Sequence, residues 1–530
     1  MKTKRIARVL VIALFVISAF SSVPLSVKAQ NESLYETLFF VPTGENGIHY
    51  AGVGIPEALT WGPAALTISN DGIFWITDTV AGNLLAYNSK GELISKIDLN
   101  GLVVGATDIV VKDNNIFVLD QASLPPKIVE VDMRGNVLGS HDLPNGLYLE
   151  NGLTGITTNN HGDLLVEREF GSLVTQFLGD NGELIQNVTI NGYIQNGNQY
   201  SAHISGLASD SPKHGEIDVA NTKIDVETAN DLGGLQILGF GASGDFYVIV
   251  EELTQIPELQ VDQTIRHYSI EGNLLGIARM PINDQFTYVA QDFALSPDGN
   301  LYALVTQPDR VDVVRLNFFE KLEPILKVDN TNPSFTVGQT GDYSPLSCVS
   351  RDTMISTAAS YRNNSKYFNS TNTDGTCSGR GKPRYISGAG TYSSVPYDYN
   401  GFDSVSGFNG YMDPNNYQAG DIDTTASESC SKGVDCSGYV SRAWQLSSKY
   451  DTCTLEDIST LLSSTSLLLR GDIINKCNER TMIFVSFSGS TGFYDYESTT
   501  YNSYDRVVYI TSTWTRVSSY SPRRYNNVCS

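Results

Sequence analysis

The sequence predicts two folded parts in tandem, an all-β array of repeated sheets and then an α+β part. Three observations carry this. A strand-and-turn unit recurs before residue 330, the acidic excess lies in that same stretch, and all seven cysteines follow it. A chain of 530 residues exceeds what one core can hold, so two or more domains are expected.

The repeat comes first. A turn with Asp-Gly or a near equivalent leads into a short β-rich run, a polar loop, a second run and another Gly turn. Clear copies are NDGIFWITDTVAGNLLAYNSKGELISKIDL from Asn70 and KDNNIFVLDQASLPPKIVEVDMRGNVLGSHDL from Lys112. Equivalent turns fall near 72, 114, 163, 245 and 299, and the wide interval after 163 has room for a degenerate sixth unit around 200–226. One four-stranded sheet cannot bury both faces alone, whereas sheets packed in a ring can, leaving only short edges. The prediction is a β-propeller over residues 30–329, with six blades. The pattern resembles NHL-like and related six-bladed propellers, and the resemblance implies a binding platform whose ligand is unknown. All six histidines (His49, His141, His161, His203, His214 and His267) fall here, scattered, with no close pair at metal-ligand spacing. No metal and no cofactor is expected.

Charge and cysteines bound the setting. Residues 30–330 hold 14 basic against 40 acidic side chains, while residues 331–530 hold 16 against 18. So acidic a surface repels phosphate backbones, which excludes nucleic acid as a partner class. The opening MKTKRIARVLVIALFVISAFSSVPLSVKAQ has a basic start, an apolar run and a small-residue exit at Ala29, which reads as a secretory signal over residues 1–29. The other reading of this segment is a retained N-terminal anchor. No later stretch approaches the roughly 20 apolar residues of a membrane span, so the expected location is secreted or extracellular, including the cell wall. In an exported chain, seven cysteines read as up to three disulfides with one thiol left over. Cys436 is the natural odd one out, although another cysteine in that role stays open.

A Pro/Gly/Asn/Thr-rich linker over 330–345 separates the propeller from a second domain, 346–530. There, helices are predicted over 350–367 and 455–462, and strands over 480–487 and 506–510. Between them lies GVDCSGYVSRAWQL, in which Cys436 stands where a helical pattern begins. A thiol at a helix N-terminus feels the positive end of the macrodipole, which favours thiolate.

The pieces SVPYDYNGFD from Ser394, the Ala419–Asp421 triplet AGD, GVDCSGYVSRAWQL, LLLRGDIINK from Leu467 and MIFVSF from Met482 occur in that order. Together they resemble the NlpC-type, papain-like cysteine peptidases that cleave the peptide stems of bacterial cell walls. The resemblance implies an α+β papain-like domain, with Cys436 at the nucleophile position and Tyr397, Asp435 and Ser437 lining a substrate site. It places the general-base histidine at Arg480 and a third, polar position at Glu497. It also implies cell-wall peptide or muropeptide as partner.

The chain departs from the pattern at the base, because no histidine occurs between residues 331 and 530. Imidazole shuttles protons near its pKa of about 6.5, whereas arginine stays protonated to above about pH 12. Loss of acid–base catalysis alone costs roughly 10²–10⁴-fold. Three readings stay open from the sequence. The domain has lost catalysis and binds a ligand; or it is active with an unusual base (Glu497, Asp495, a tyrosine, or a propeller histidine reaching across); or both domains serve adhesion or interaction only.

Overall fold

Why the repeat folds as it does is visible in its turns. In the turn at 132–136, Asp132 Oδ1 accepts from the backbone N–H groups of Arg134 and Asn136, at 2.8 and 2.9 Å. Gly135, at φ +84°, donates back to the Asp132 carbonyl at 2.9 Å. A side chain that caps its own turn, closed by a glycine in the left-handed region, sets a hairpin locally. The same arrangement recurs at Asn88, Asn159 and Ser269.

The computed structural model describes residues 33–529, apart from 46, 149–151, 181, 186–187, 207–212, 221, 329–347, 375–376, 378–380, 413–414 and 416. The expected signal (1–29) and linker (330–345) lie outside the described residues. Six four-stranded antiparallel sheets succeed one another as blades 1–6 of a β-propeller. Blades 1–5 span residues 66–98, 106–142, 153–191, 193–226 and 231–280. The degenerate unit expected around 200–226 is thus a full blade. Blade 6 takes three strands from 293–316, and its fourth is the N-terminal strand Tyr35–Pro42, paired antiparallel with Arg310–Leu316. That pairing closes the ring with the start of the chain and leaves no open blade.

From residue 348 onward the described residues are also mainly strand and loop. The helices of a full two turns or near it are Arg351–Arg362, Val405–Tyr411 and Cys436–Ala443. They pack on a six-stranded antiparallel sheet in which Ile473–Lys476, Arg480–Phe487, Phe493–Thr499 and the edge strand Arg506–Ser512 follow one another. The first helix is capped by the Ser350 side chain and buries Met354, Ala358 and Tyr361. The helix expected over 455–462 is one turn, Thr454–Asp457, because Ser459–Leu461 is drawn into edge pairing with Ser521–Tyr525. Three disulfides, Cys348–Cys529, Cys377–Cys430 and Cys453–Cys477, leave Cys436 as the free cysteine. Among the described residues no helix is long and apolar enough to cross a membrane.

The two parts pack into one body. Among the described residues, loops that lead into a blade, such as that of Glu57, or link its second and third strands, such as that of Gln121 and Ala122, meet the C-terminal part. Leu235 N–H donates to Ser490 O and Ile204 N–H to Gly489 O, both at 2.8 Å. Tyr504 Oη donates to Gln121 Oε1 at 2.7 Å, and Arg506 Nη1 to Ala122 O at 2.7 Å. Trp514 is fully buried in a cluster that includes Leu253, Ile256, Leu259 and Val261 of blade 5.

Candidate functional site

Cys436 is the first residue of the Cys436–Ala443 helix, as its motif predicts. Asp435 is the N-cap, with Oδ1 accepting from Gly438 N–H at 2.7 Å. Its Oδ2 lies 3.0 Å from Lys449 Nζ. Gly438 is required by close approach, since a Cβ there would lie 2.0 Å from the Gly401 carbonyl oxygen. The loop around Tyr397 wraps this turn, with Asp398 N–H bonded to Val434 O at 3.1 Å and Asp435 N–H to Gly401 O at 3.2 Å. Tyr397 is buried beside the thiol and Asp435; burial, then those two groups, push its hydroxyl pKa up.

The structure therefore brings Cys436, Asp435, Ser437 and Tyr397 together. It does not bring Arg480 or Glu497 to them, and the reason is the two-residue period of a strand. Along Arg480–Phe487, Ile483 packs with Val434, Tyr439 and Val440 under the cysteine helix. Met482 and Phe484 pack on the opposite face, with Trp514 and the blade 5 residues. Arg480 shares that opposite face, with Nη1 3.2 Å from Glu497 Oε2 and its guanidinium 6.0 Å from the Tyr520 ring centre. Glu497 also pairs with Arg516 Nη2 at 2.6 Å. Against the burial that opposes it, Arg480 and Arg516 hold the Glu497 carboxyl below its ordinary pKa. The residue that meets Cys436 is the next one, Thr481, whose backbone N–H is directed at the sulfur. On the neighbouring strand, Ser498 faces the same way and donates to Val434 O at 2.7 Å.

One group comes from the propeller. Glu57, at φ +62° in the loop before blade 1, accepts from Ser437 Oγ at 2.7 Å and from Thr452 N–H at 3.1 Å, and also from the Thr452 hydroxyl. Tyr399 Oη donates to the neighbouring Pro56 O at 3.1 Å. A loop 380 residues away in sequence is thus locked over the cysteine turn.

The electrostatics overturn the expectation of a thiolate. Cys436 is 2% exposed, and burial raises its pKa well above the ordinary thiol value; Asp435 and Glu57 add to the rise. Only the Thr481 N–H and Lys449 oppose it. A helix terminus contributes about 0.3–1 kcal/mol, whereas desolvating a charge costs several kcal/mol. Burial wins, and the thiol keeps its proton near neutral pH. Among the described residues that shift it there is no histidine; His49 is engaged 2.9 Å from Asp78 and His267 with Asp245. Such a site holds a neutral thiol among carboxylates and hydroxyls.

Among the described residues, one grouping of three has metal-ligand chemistry: His203, Glu216 and Asp218 on blade 4. It is half-exposed, and Lys223 already pairs with Glu216 and Asp218.

No protein-family model matches this chain, and no curated protein matches it. Solved structures with similarity include hydrazine synthase of Kuenenia stuttgartiensis, at 15% identity over 52% of this chain and 80% of that one, with a TM-score of 0.32. Virginiamycin B lyase from Staphylococcus aureus, as a catalytically inactive variant with quinupristin, gives 15% identity over 51% and 99%, with a TM-score of 0.29. A streptogramin B lyase gives 13% identity over 53% and 100%, with a TM-score of 0.28.

Proposed function

We propose that this chain is an exported, cell-wall-associated protein in which an NlpC-type, papain-like domain (346–530) is carried by the propeller (30–329) in a non-hydrolysing form. The order of the motifs around Cys436 supports the family reading, together with a cysteine helix packed on an antiparallel sheet. Three disulfides suit an oxidising, extracytoplasmic setting. The observation that carries the loss of catalysis is the surroundings of Cys436, a protonated and buried thiol with no imidazole beside it. On this reading the domain binds cell-wall peptide, or a muropeptide, without cutting it.

The test has two arms. The full mature protein is incubated with muropeptides, and products are followed by mass spectrometry. In parallel, Cys436 is challenged with N-ethylmaleimide in the folded and the urea-unfolded protein. No cleavage is expected, together with a thiol that reacts only after unfolding. Cleavage that disappears in Cys436→Ala would overturn the proposal and establish an active hydrolase. Binding of muropeptide that persists in Cys436→Ala supports a ligand-binding domain, and its absence favours a protein of interaction or adhesion only.

One observation favours a second reading. Glu57 bridges Ser437 and Thr452 from outside the domain, so the cysteine site is shut by the propeller. A cysteine hydrolase kept latent by this loop would become reactive to maleimide, and begin to cleave, in Glu57→Ala. Asp495 and Glu497 are not its base, since both lie on the far face of the sheet, where Asp495 accepts from Ser512 at 2.6 Å and Glu497 pairs with Arg516.

A further inference from the structure

We propose that the cavity enclosed between the propeller loop 282–292 and the C-terminal residues around Arg480 and Arg516 is a binding site for a small carboxylate-bearing molecule. The cavity holds about 330 Å³, and both parts of the chain line it. That size lies at the small end of ligand pockets.

The first argument is the state of Arg480. Its side chain is 2% exposed, yet Nε and Nη1 make no hydrogen bond to any protein group. The Nη1 contact with Glu497 at 3.2 Å is an ion pair lacking hydrogen-bond geometry. A guanidinium offers five donors in a fixed fork, and leaving buried donors unmet is costly. Arg516, also buried, donates to Ser512 Oγ and Glu497 Oε1, both at 2.6 Å, and leaves its Nε unmet. Glu497 is therefore one carboxylate shared by two arginines, and the pair still has donors to spare.

The second argument is charge. Lys476 also lines the cavity, and its ammonium is 2.5 Å from Glu479, which in turn accepts from Tyr520 Oη at 2.8 Å. These two offset each other, as do Glu497 and one arginine. Asp495, linked to Arg516 through Ser512, is pushed up to about 7 by burial and by Glu497 and offsets the second arginine in part. The charge left facing the cavity is at most one positive, which suits a monoanion better than a phosphate dianion. Asp292 on the propeller wall does not cancel it, because burial raises its pKa to about 8 and keeps it neutral. The third argument is shape. Tyr288, Tyr501 and Phe286 supply aromatic walls. A planar carboxylate on the Nε edge of the Arg480 fork, with its body against these rings, meets the open Nε while Nη1 stays against Glu497.

Isothermal calorimetry on the full mature protein tests this with acetate, N-acetyl-alanyl-alanine, inorganic phosphate and glucose as probes. One N-acetyl-alanyl-alanine per chain is expected to bind, more tightly than acetate, with phosphate and glucose weaker than either. Arg480→Gln is expected to weaken binding at least about tenfold, and Arg480→Lys nearly as much, because the fork is lost. Ser518→Phe, which fills the cavity without altering charge, is expected to abolish binding and keeps the test decisive if the arginine variants fail to fold. The proposal is overturned if neither carboxylate binds at about 10 mM, if phosphate binds tightest, or if binding survives Ser518→Phe.

Discussion

Asp292 and Cys436 are governed by the same effect, since each sits where a charge would be stripped of water. For Asp292 burial is the largest cause, with Glu251 adding to it, and the carboxyl titrates at about 8 in the fold. In the unfolded chain an aspartate titrates near 3.9. Between these pH values the folded state holds a proton that the unfolded state has released, so stability falls as pH rises. The contribution is fully present below about pH 4 and is lost as pH climbs through 8. Asn is a neutral isostere that removes this penalty. Asp292→Asn is therefore expected to be more stable than wild type at pH 9 by several kcal/mol, with the advantage shrinking steadily towards pH 5. Urea unfolding at pH 5, 7 and 9 measures it, and parallel profiles for the two proteins would show that Asp292 is already ionised in the fold.

At the scale of the element, a strand's period decides which residue can serve the cysteine. Arg480 and Thr481 are adjacent in sequence but face opposite sides of the sheet. Thr481→His is expected to put an imidazole beside Cys436 and bring thiolate ultraviolet absorbance in at lower pH. Overpacking at this fully buried position costs about 1–3 kcal/mol. Arg480→His should leave the thiol's titration unchanged, because its ring would meet Glu497 and Tyr520 instead. An equal response in both variants would refute the assignment of faces. The same contrast marks what could be read from the residues alone. Turns such as 132–136 are legible because the capping side chain and the glycine lie within five residues. The Cys436 helix is legible because its N-cap and apolar face are local. Strand 480–487 was legible as a strand, but its inward face depends on which side the helix packs, and the resemblance places a position without a direction. The strand Tyr35–Pro42 and the Glu57 loop carry no local signal at all. Their partners lie 279 and 380 residues away, at Arg315 and Ser437.

The whole molecule is built around one long-range junction. The propeller is strongly acidic and the C-terminal part nearly neutral, and the latter turns its arginines towards the ring, with Arg506, Arg516 and Arg480 all buried at or near it. On the propeller side, Glu251 accepts from the backbone N–H groups of Trp514 and Thr515, at 3.1 and 3.3 Å, and from the Thr515 hydroxyl. The Trp514 side chain fills the apolar cluster under blade 5, and a Cβ added at Gly233 would lie 2.7 Å from its ring. Exposing that cluster and leaving Glu251 buried without its donors are both unfavourable, so neither part is expected to unfold while the other stays intact. Scanning calorimetry of the mature protein should give one transition, with calorimetric and van't Hoff enthalpies equal. Trp514→Ala removes the central contact at a cost of about 3–5 kcal/mol, and is expected to lower the melting temperature and split the transition in two. Two separate transitions in the wild-type protein would mean that the junction is a contact between independent bodies. The Glu57 lock over Cys436 would then open without unfolding.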